Sequence, residues 1–216
     1  FPYSDLTVNT HVVSMIVADE VGSTCTADVI YTVGEPPEVE ITQPEEGDVY
    51  NDGDRVQFTA IVSDHEDSPE DLALSWESDL DGVLNTAGSD SSGEAQFQTE
   101  ELAQGTHTVS LTATDTHGLY STETVTFSVN GLPSAPEIEI NPDPAYTDDD
   151  LTVSITADGV DPEGDPLSYT YTWFLDGVES SESTSAALPS TATTKNQTWR
   201  VDVTPDDGTG SGEAGS

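Results

Sequence analysis

The chain has 216 residues and a formal net charge of -40, from 43 Asp+Glu against 3 Lys+Arg. The cations are Arg55, Lys195 and Arg200, so almost no carboxylate can find a basic partner. Nucleic acid and anionic membrane are excluded as charge-driven partners because the field of the protein repels both, and a basic pocket for a phosphorylated substrate cannot be assembled.

One cysteine, Cys25, excludes an internal disulfide. No run approaches the ~18 apolar residues that span a bilayer, so no membrane insertion is expected in this segment. The opening at Phe1-Pro2-Tyr3 and the stop at Gly215-Ser216 fall in mid-pattern, and the chain reads as a piece of a longer one.

The first apolar pattern runs from Thr10 to Asp19 and returns without a gap from Thr106 to Asp115. The register persists through Gly22 and Gly118, then Val33 and Val129. A second set of matches follows: Pro37-Glu38-Val39-Glu40-Ile41 returns as Pro136-Glu137-Ile138-Glu139-Ile140, and Leu74-Ser75-Trp76 as Tyr171-Thr172-Trp173. Such self-similarity signals stacked repeats. The Pro-bearing joints Gly34-Glu35-Pro36-Pro37 and Gly131-Leu132-Pro133-Ser134-Ala135-Pro136 mark short, semi-rigid linkers. Residues 1–34 are then the C-terminal part of one repeat, 35–132 a complete repeat, and 133–216 a third whose last strand is missing or unplaced. Its glycine-rich tail reads as flexible linker or as sequence whose register is not placed.

Within residues 35–132 the apolar period is two. Val39 and Ile41 alternate with acids. Val56, Phe58, Ala60 and Val62 face one way. Leu72, Leu74 and Trp76 form another strand, Val109, Leu111 and Ala113 the next, and Val125, Phe127 and Val129 the last. Asn51-Asp52-Gly53, Asp81-Gly82, Gln104-Gly105 and His117-Gly118 supply turns. About seven short strands in about 95 residues predict a β-sandwich with Trp76, and in register Trp173, in its core. The fold class is all-β: tandem immunoglobulin-like sandwich repeats joined by short Pro-containing linkers.

The Pro-Xaa-Val/Ile-Xaa-Ile start, the Asp-rich loop before a Trp-bearing strand, and the late Asp-Xaa-Xaa-Gly string from Asp115 to Gly118 resemble the PKD/cadherin-like group of bacterial and archaeal immunoglobulin-like repeats. The resemblance covers the whole chain. It implies extracellular tandem arrays in adhesins, surface-layer proteins, filaments and secreted polymer-degrading enzymes, and calcium in many members.

Two acidic loops are candidates for calcium, which needs six to eight oxygens. One set is Asp64, Glu66, Asp67 and Asp115. The other is Asp158, Asp161, Glu163 and Asp165, where Gly164 permits a tight turn; there Pro205 stands in place of the late Asp, with Asp206 and Asp207 just beyond. The competing reading is a solvated acidic loop. Asp79, Asp81-Gly82 and Asp176-Gly177 read as turn residues, and Asp148-Asp149-Asp150 as a wet turn. His65 and His117 are loop residues near the acidic end. His11 and His107 share one register position, which points to scaffold rather than catalysis. Cys25 has no neighbour that would lower its pKa, no site of nucleophilic catalysis is compelling, and no enzyme activity is expected.

The function expected is a structural segment of an extracellular, prokaryotic repeat protein: an adhesin stalk, a surface filament or a surface-layer component. Its partners would be neighbouring repeats, a homotypic assembly or a surface ligand. The alternative is an accessory, substrate-binding module of a large secreted hydrolase. The partial repeats at the ends permit either truncation or strand exchange with a neighbour.

Overall fold

Period-two alternation becomes β-strand in every segment where the sequence carries it. The computed structural model describes residues 6–216; the Phe1-Pro2-Tyr3 opening lies outside them. The chain divides into two compact units, the first comprising the described residues up to 48 with 55–99 and 107–127, the second 49–54, 100–106 and 128–216.

Strands β1 (Asn9–Ala18) and β2 (Thr24–Val33) form an antiparallel pair. His11 lies opposite Tyr31, Val13 opposite Val29 and Met15 opposite Ala27. Opposite residues share a face, and both faces of this hairpin expose apolar side chains: Met15 is 63% accessible on one, Ile30 71% on the other.

The middle repeat begins at β3 (Glu38–Gln43), followed by β4 (Val49–Asn51), β5 (Val56–Ser63), β6 (Ala73–Ser78), β7 (Gly82–Asn85), β8 (Glu94–Thr99), β9 (Gly105–Thr114) and β10 (Tyr120–Asn130). They make two sheets, ordered β3-β5-β8 and β4-β10-β9-β6-β7. The sheets meet through aromatic side chains: Phe58 of β5 lies edge-on to Trp76 of β6 at 5.6 Å and to Phe127 of β10 at 5.9 Å, and stacks on Phe97 of β8 at 4.6 Å. Val56, Phe58, Ala60 and Val62 are all buried, as are Val109, Leu111 and Ala113, so each strand turns the face expected from its alternation into one core.

The third repeat supplies β11 (Glu137–Asn141), β12 (Leu151–Ala157), β13 (Ser168–Leu175), β14 (Val178–Ser180), β15 (Ala187–Leu188) and β16 (Trp199–Asp206), in sheets β11-β12-β15 and β14-β13-β16. Its core is Leu151, Trp173, Leu188, Val201 and Val203, with Ile138, Ile140, Tyr171 and Trp199 packed against it. The Trp173 indole N–H donates to the Ser185 carbonyl at 2.9 Å, which satisfies the one polar atom that its burial would otherwise strand.

The glycine-rich tail differs from the linker the sequence suggests. It runs antiparallel along β16, bridging Asp206 to Ser211 and Val203 to Gly215. Val203 and Gly215 exchange both main-chain hydrogen bonds, at 2.8 and 2.9 Å. Gly212 and Gly215 pass so close to the Pro133 and Pro136 carbonyls that a Cβ on either would collide with main chain. The glycines that suggest flexibility are there for close approach.

Candidate metal centre

Part of the acidic surplus is used on backbone N–H groups in turns. Asp115 follows β9, and its Oδ1 accepts from the His117 and Leu119 N–H groups, both at 2.8 Å. Asp115 N–H in turn donates to the Leu119 carbonyl at 2.9 Å, and Gly118 supplies the left-handed residue the turn needs, at φ 87. Asp19 does the same in the β1–β2 turn, taking Val21 N–H at 3.0 Å and Ser23 N–H at 2.8 Å. In the third repeat the duty moves to Asp207, which takes the Thr209 and Gly210 N–H groups at 2.6 and 2.7 Å. Pro205 in the register position of Asp115 therefore leaves the turn closed from two residues further along.

Asp79 and Asp176, each following a Trp-bearing strand, clamp the strand that pairs next. Asp79 accepts from Thr108 N–H at 2.8 Å and Asp176 from Thr198 N–H at 2.9 Å. Asp149 accepts from Tyr146 N–H at 2.8 Å, and Asp150 from Ser190 N–H at 2.6 Å. These acids have turn work sufficient to explain them.

At the β5–β6 loop the arrangement changes. Among the described residues, one set of His, Cys, Asp or Glu brings three ligand atoms together: Asp67, Asp115 and His117, mutually within 4.8 Å. Asp115 is buried, at 8% exposure. Asp67 takes Thr116 N–H at 2.9 Å and Thr116 Oγ1–H at 2.8 Å. The backbone N–H of Thr116, then its hydroxyl, hold the Asp67 carboxyl below the usual range against the opposing effect of burial, with His117 adding to the lowering. Asp64 positions the loop: its Oδ1 accepts from Glu66 and Asp67 N–H, both at 2.8 Å, while its Oδ2 is buried with no hydrogen-bond partner. Of the four residues expected there, Asp67 and Asp115 converge, Asp64 holds the loop, and Glu66 is exposed. His117 joins them. Its place beside the acidic end is legible in sequence, its role as a ligand is not, because it depends on the Asp115 turn folding the chain back by two residues.

The third-repeat set is spread differently. Asp161 is buried at 8% exposure; its Oδ1 accepts from Glu163 N–H at 3.0 Å and Asp165 N–H at 2.8 Å, and its Oδ2 is buried without a partner. Asp158 accepts from the Tyr169 hydroxyl at 3.3 Å, and Glu163 Oε2 accepts from Gly131 N–H at 3.2 Å. Glu163 and Asp165 are exposed. No three of these four converge as Asp67, Asp115 and His117 do.

Calcium takes hard oxygen ligands. Asp64, Asp67 and Asp115 offer these, and a buried carboxylate oxygen with no donor is the kind of atom a cation satisfies. The converging set is two carboxylates, of the donor type calcium takes, and the His117 nitrogen, a softer donor better suited to other divalent ions.

The buried histidine of the middle sandwich, His107, is held by packing. His107 is fully buried, hydrogen-bonded through Nδ1 to Ser78 Oγ at 2.8 Å, 3.6 Å from Asp81, and stacked on Phe127 at 5.2 Å.

Residues 37–111 match the Bacterial Ig domain family. No curated protein matches the chain. Among solved structures, the titin I-band fragment I67–I69 aligns at 11% identity over 96% of this chain and 73% of its own, with a TM-score of 0.45. The N-terminal eight Ig domains of Down Syndrome Cell Adhesion Molecule align at 19% identity over 96% of this chain and 30% of theirs, at 0.46. The fibronectin(III)-like modules of Clostridium thermocellum CbhA align at 18% identity over 44% of this chain and 98% of theirs, at 0.35. The chain is all-β, with tandem sandwich folds, and the part similar to the Bacterial Ig domain family lies within the middle one. Among the described residues, no helix is long and apolar enough to cross a membrane.

Proposed function

We propose that the chain is a structural segment of a secreted prokaryotic repeat protein, an adhesin stalk or surface filament of the PKD/cadherin-like kind, whose Asp-rich loops take up calcium. The observation that supports the calcium is a coincidence of two repeats. Asp64 and Asp161 occupy corresponding loops, each using Oδ1 to hold the following loop N–H groups and each leaving Oδ2 buried and unpartnered. An orphaned, desolvated carboxylate oxygen is costly alone and is offset by a cation. Repetition of the scaffold, rather than of a reactive site, supports the structural role, with neighbouring repeats as partners.

Thermal unfolding and small-angle scattering of the full chain, with excess calcium and with chelator at fixed ionic strength, test this reading. Calcium raises the melting temperature and lengthens the particle. Asp64→Asn keeps the Oδ1 acceptor and removes the charge, so it abolishes the gain in the middle repeat. An equal response to magnesium or to sodium chloride at matched ionic strength would mean charge screening, and the calcium reading fails.

A further inference from the structure

Of the six asparagines in the chain, only Asn196 has a hydroxyl residue two positions on, in the string Asn196-Gln197-Thr198. Asn-Xaa-Ser/Thr is the acceptor pattern for an N-linked sugar, and it calls for a surface position. A three-residue string also arises by chance, so the geometry of the turn decides whether it can act.

The triplet leads into β16 through a tight turn. Gln197 N–H donates to the Thr194 carbonyl at 3.4 Å. The Gln197 side chain folds back, and its Oε1 accepts from Thr194 N–H at 2.6 Å and from the Trp199 indole N–H at 3.2 Å. Thr198 N–H donates to Asp176 Oδ1 at 2.9 Å, and the Thr198 carbonyl accepts from Asp176 N–H at 2.8 Å. Main chain, Gln197 and Asp176 therefore hold the turn. Asn196 takes the left-handed conformation, φ 74, which Asn tolerates better than most residues. Asn196 and Thr198 are both exposed. Among the described residues, no hydrogen bond engages the Asn196 carboxamide or the Thr198 hydroxyl.

The middle repeat shows that these positions face outward in a complete sandwich. Trp76 pairs with Leu111 and Trp173 with Val201. Asp79 brackets Thr108 as Asp176 brackets Thr198, taking its N–H at 2.8 Å and giving its own N–H to the Thr108 carbonyl at 3.2 Å. Asn196, Gln197 and Thr198 thus stand at the positions of Thr106, His107 and Thr108. There β10 lies alongside, with Ser128 Oγ 3.3 Å from Thr106 Oγ1. Thr106 and Thr108 are exposed all the same, while His107 is 0% exposed. The exposure of Asn196 and Thr198 follows from the alternation of the strand and survives a neighbouring strand.

We propose that Asn196 is a glycosylation site, carrying an N-linked oligosaccharide on the outward side of the turn into β16. In the transfer, Asn196 Nδ2 attacks the anomeric carbon of a lipid-pyrophosphate-linked oligosaccharide. The N–C1 bond forms as the C1–O bond breaks, the lipid pyrophosphate leaves with the bonding pair, and Nδ2 gives up one proton to a base of the transferring enzyme. No oxidant or reductant takes part. The sugar stands clear of the core, because Gln197 is the member of the triplet turned inward. Transfer takes place at or beyond the exporting membrane, so the inference rests on the reading of the chain as secreted; it does not depend on calcium.

The test incubates the folded full chain with a synthetic lipid-pyrophosphate-linked oligosaccharide and membranes carrying an oligosaccharyltransferase that accepts Asn-Xaa-Ser/Thr, beside a free peptide of residues 193–200. The expected result is a gain of one oligosaccharide in intact mass, placed on Asn196 by peptide mapping, with no fall in melting temperature. Asn196→Asp keeps a residue suited to the left-handed turn and abolishes the gain. Thr198→Val lowers it at least about tenfold, and Thr198→Ser retains it. Modification of the peptide but not of the folded chain, modification of neither, or a gain that survives Thr198→Val would overturn the proposal. The protein recovered from the cells that make it gives the second measurement. Sugar on the Asn196 peptide supports the site, and a wholly unmodified peptide from a secreted chain overturns it. Recovery only from inside the cell would overturn both this inference and the reading of the chain as secreted, and the incubation with membranes tells that outcome apart from a failed acceptor.

Discussion

Replacing Trp76 by Ala tests the core of the middle sandwich. Trp76 is 1% exposed and sits edge-on to Phe58 and Phe97, each at 5.6 Å. Truncating a buried Trp costs about 3 to 5 kcal/mol, the larger values where the site cannot collapse. Here collapse is hindered, because Phe58 and Phe97 are stacked on each other at 4.6 Å and Phe58 is also held by Phe127. Two edge-on aromatic contacts are lost as well, each worth about 0.5 to 1.5 kcal/mol beyond area burial and included in that total. The upper half, about 4 to 5 kcal/mol, is therefore expected, a large share of the roughly 5 to 15 kcal/mol a domain has. Urea unfolding of the full chain by circular dichroism gives the magnitude, and amide exchange gives the location. Protection should fall across β5, β6 and β9 and stay intact across β12, β13 and β16. Trp199→Ala, at a half-buried position, should cost clearly less and act only in the third sandwich. A loss below about 1 kcal/mol, or exchange that rises equally in both sandwiches, would refute the reasoning.

His107→Ala leaves Ser78 Oγ without its imidazole partner and Phe127 without its stack; it should cost about 1 to 3 kcal/mol in denaturant unfolding, with any assembly unchanged in the folded fraction. Gly93 has φ 87, and a Cβ there would collide with the Val62 carbonyl; Gly93→Ala should destabilise by more than the ~1 kcal/mol of ordinary left-handed strain, read as early loss of protection at β5 and β8. Asp90 is held below the usual carboxylate range by the Ser92 hydroxyl first, then by the Glu94 and Ser92 N–H groups. A lowered carboxyl contributes stability above the usual range and loses it as pH falls through the folded value. Ser92→Ala should raise the Asp90 pKa in a carboxyl NMR titration, so less stability is lost on the acid side and the loss is complete at higher pH; an unmoved titration would contradict the assignment.

Much of the sandwich is legible in the sequence because β-strands write themselves with a period of two. Val56, Phe58, Ala60 and Val62 announce one face without any knowledge of the partner strand, and Asp81-Gly82 fixes a turn by backbone conformation alone. The register of Trp76 against Leu111 is not local and is reached only through the Trp173 repeat. The tail misleads for a related reason. Gly212 and Gly215 signal small size, and small size serves both free linkers and tight contacts. Only the Pro133 and Pro136 carbonyls, contributed from far upstream, distinguish the two.

The candidate site is harder to read because a carboxylate has the same sequence signature whether it binds a cation or a backbone amide. Asp115 looks like a ligand and commits one oxygen to closing a turn; Asp79 and Asp176 brace strands; Asp149 and Asp150 hold a loop. The feature that sets two of these loops apart from this background is the oxygen left over. Asp64 and Asp161 each have one oxygen fully used and one buried with nothing to accept, in corresponding loops of two repeats. In a chain of net charge -40, exposed carboxylates are relieved by water and salt, but a buried one is not. On the calcium proposal, the acids that matter for a cation are those with the least access to solvent rather than those in the densest run; Glu66, Glu163 and Asp165 are exposed.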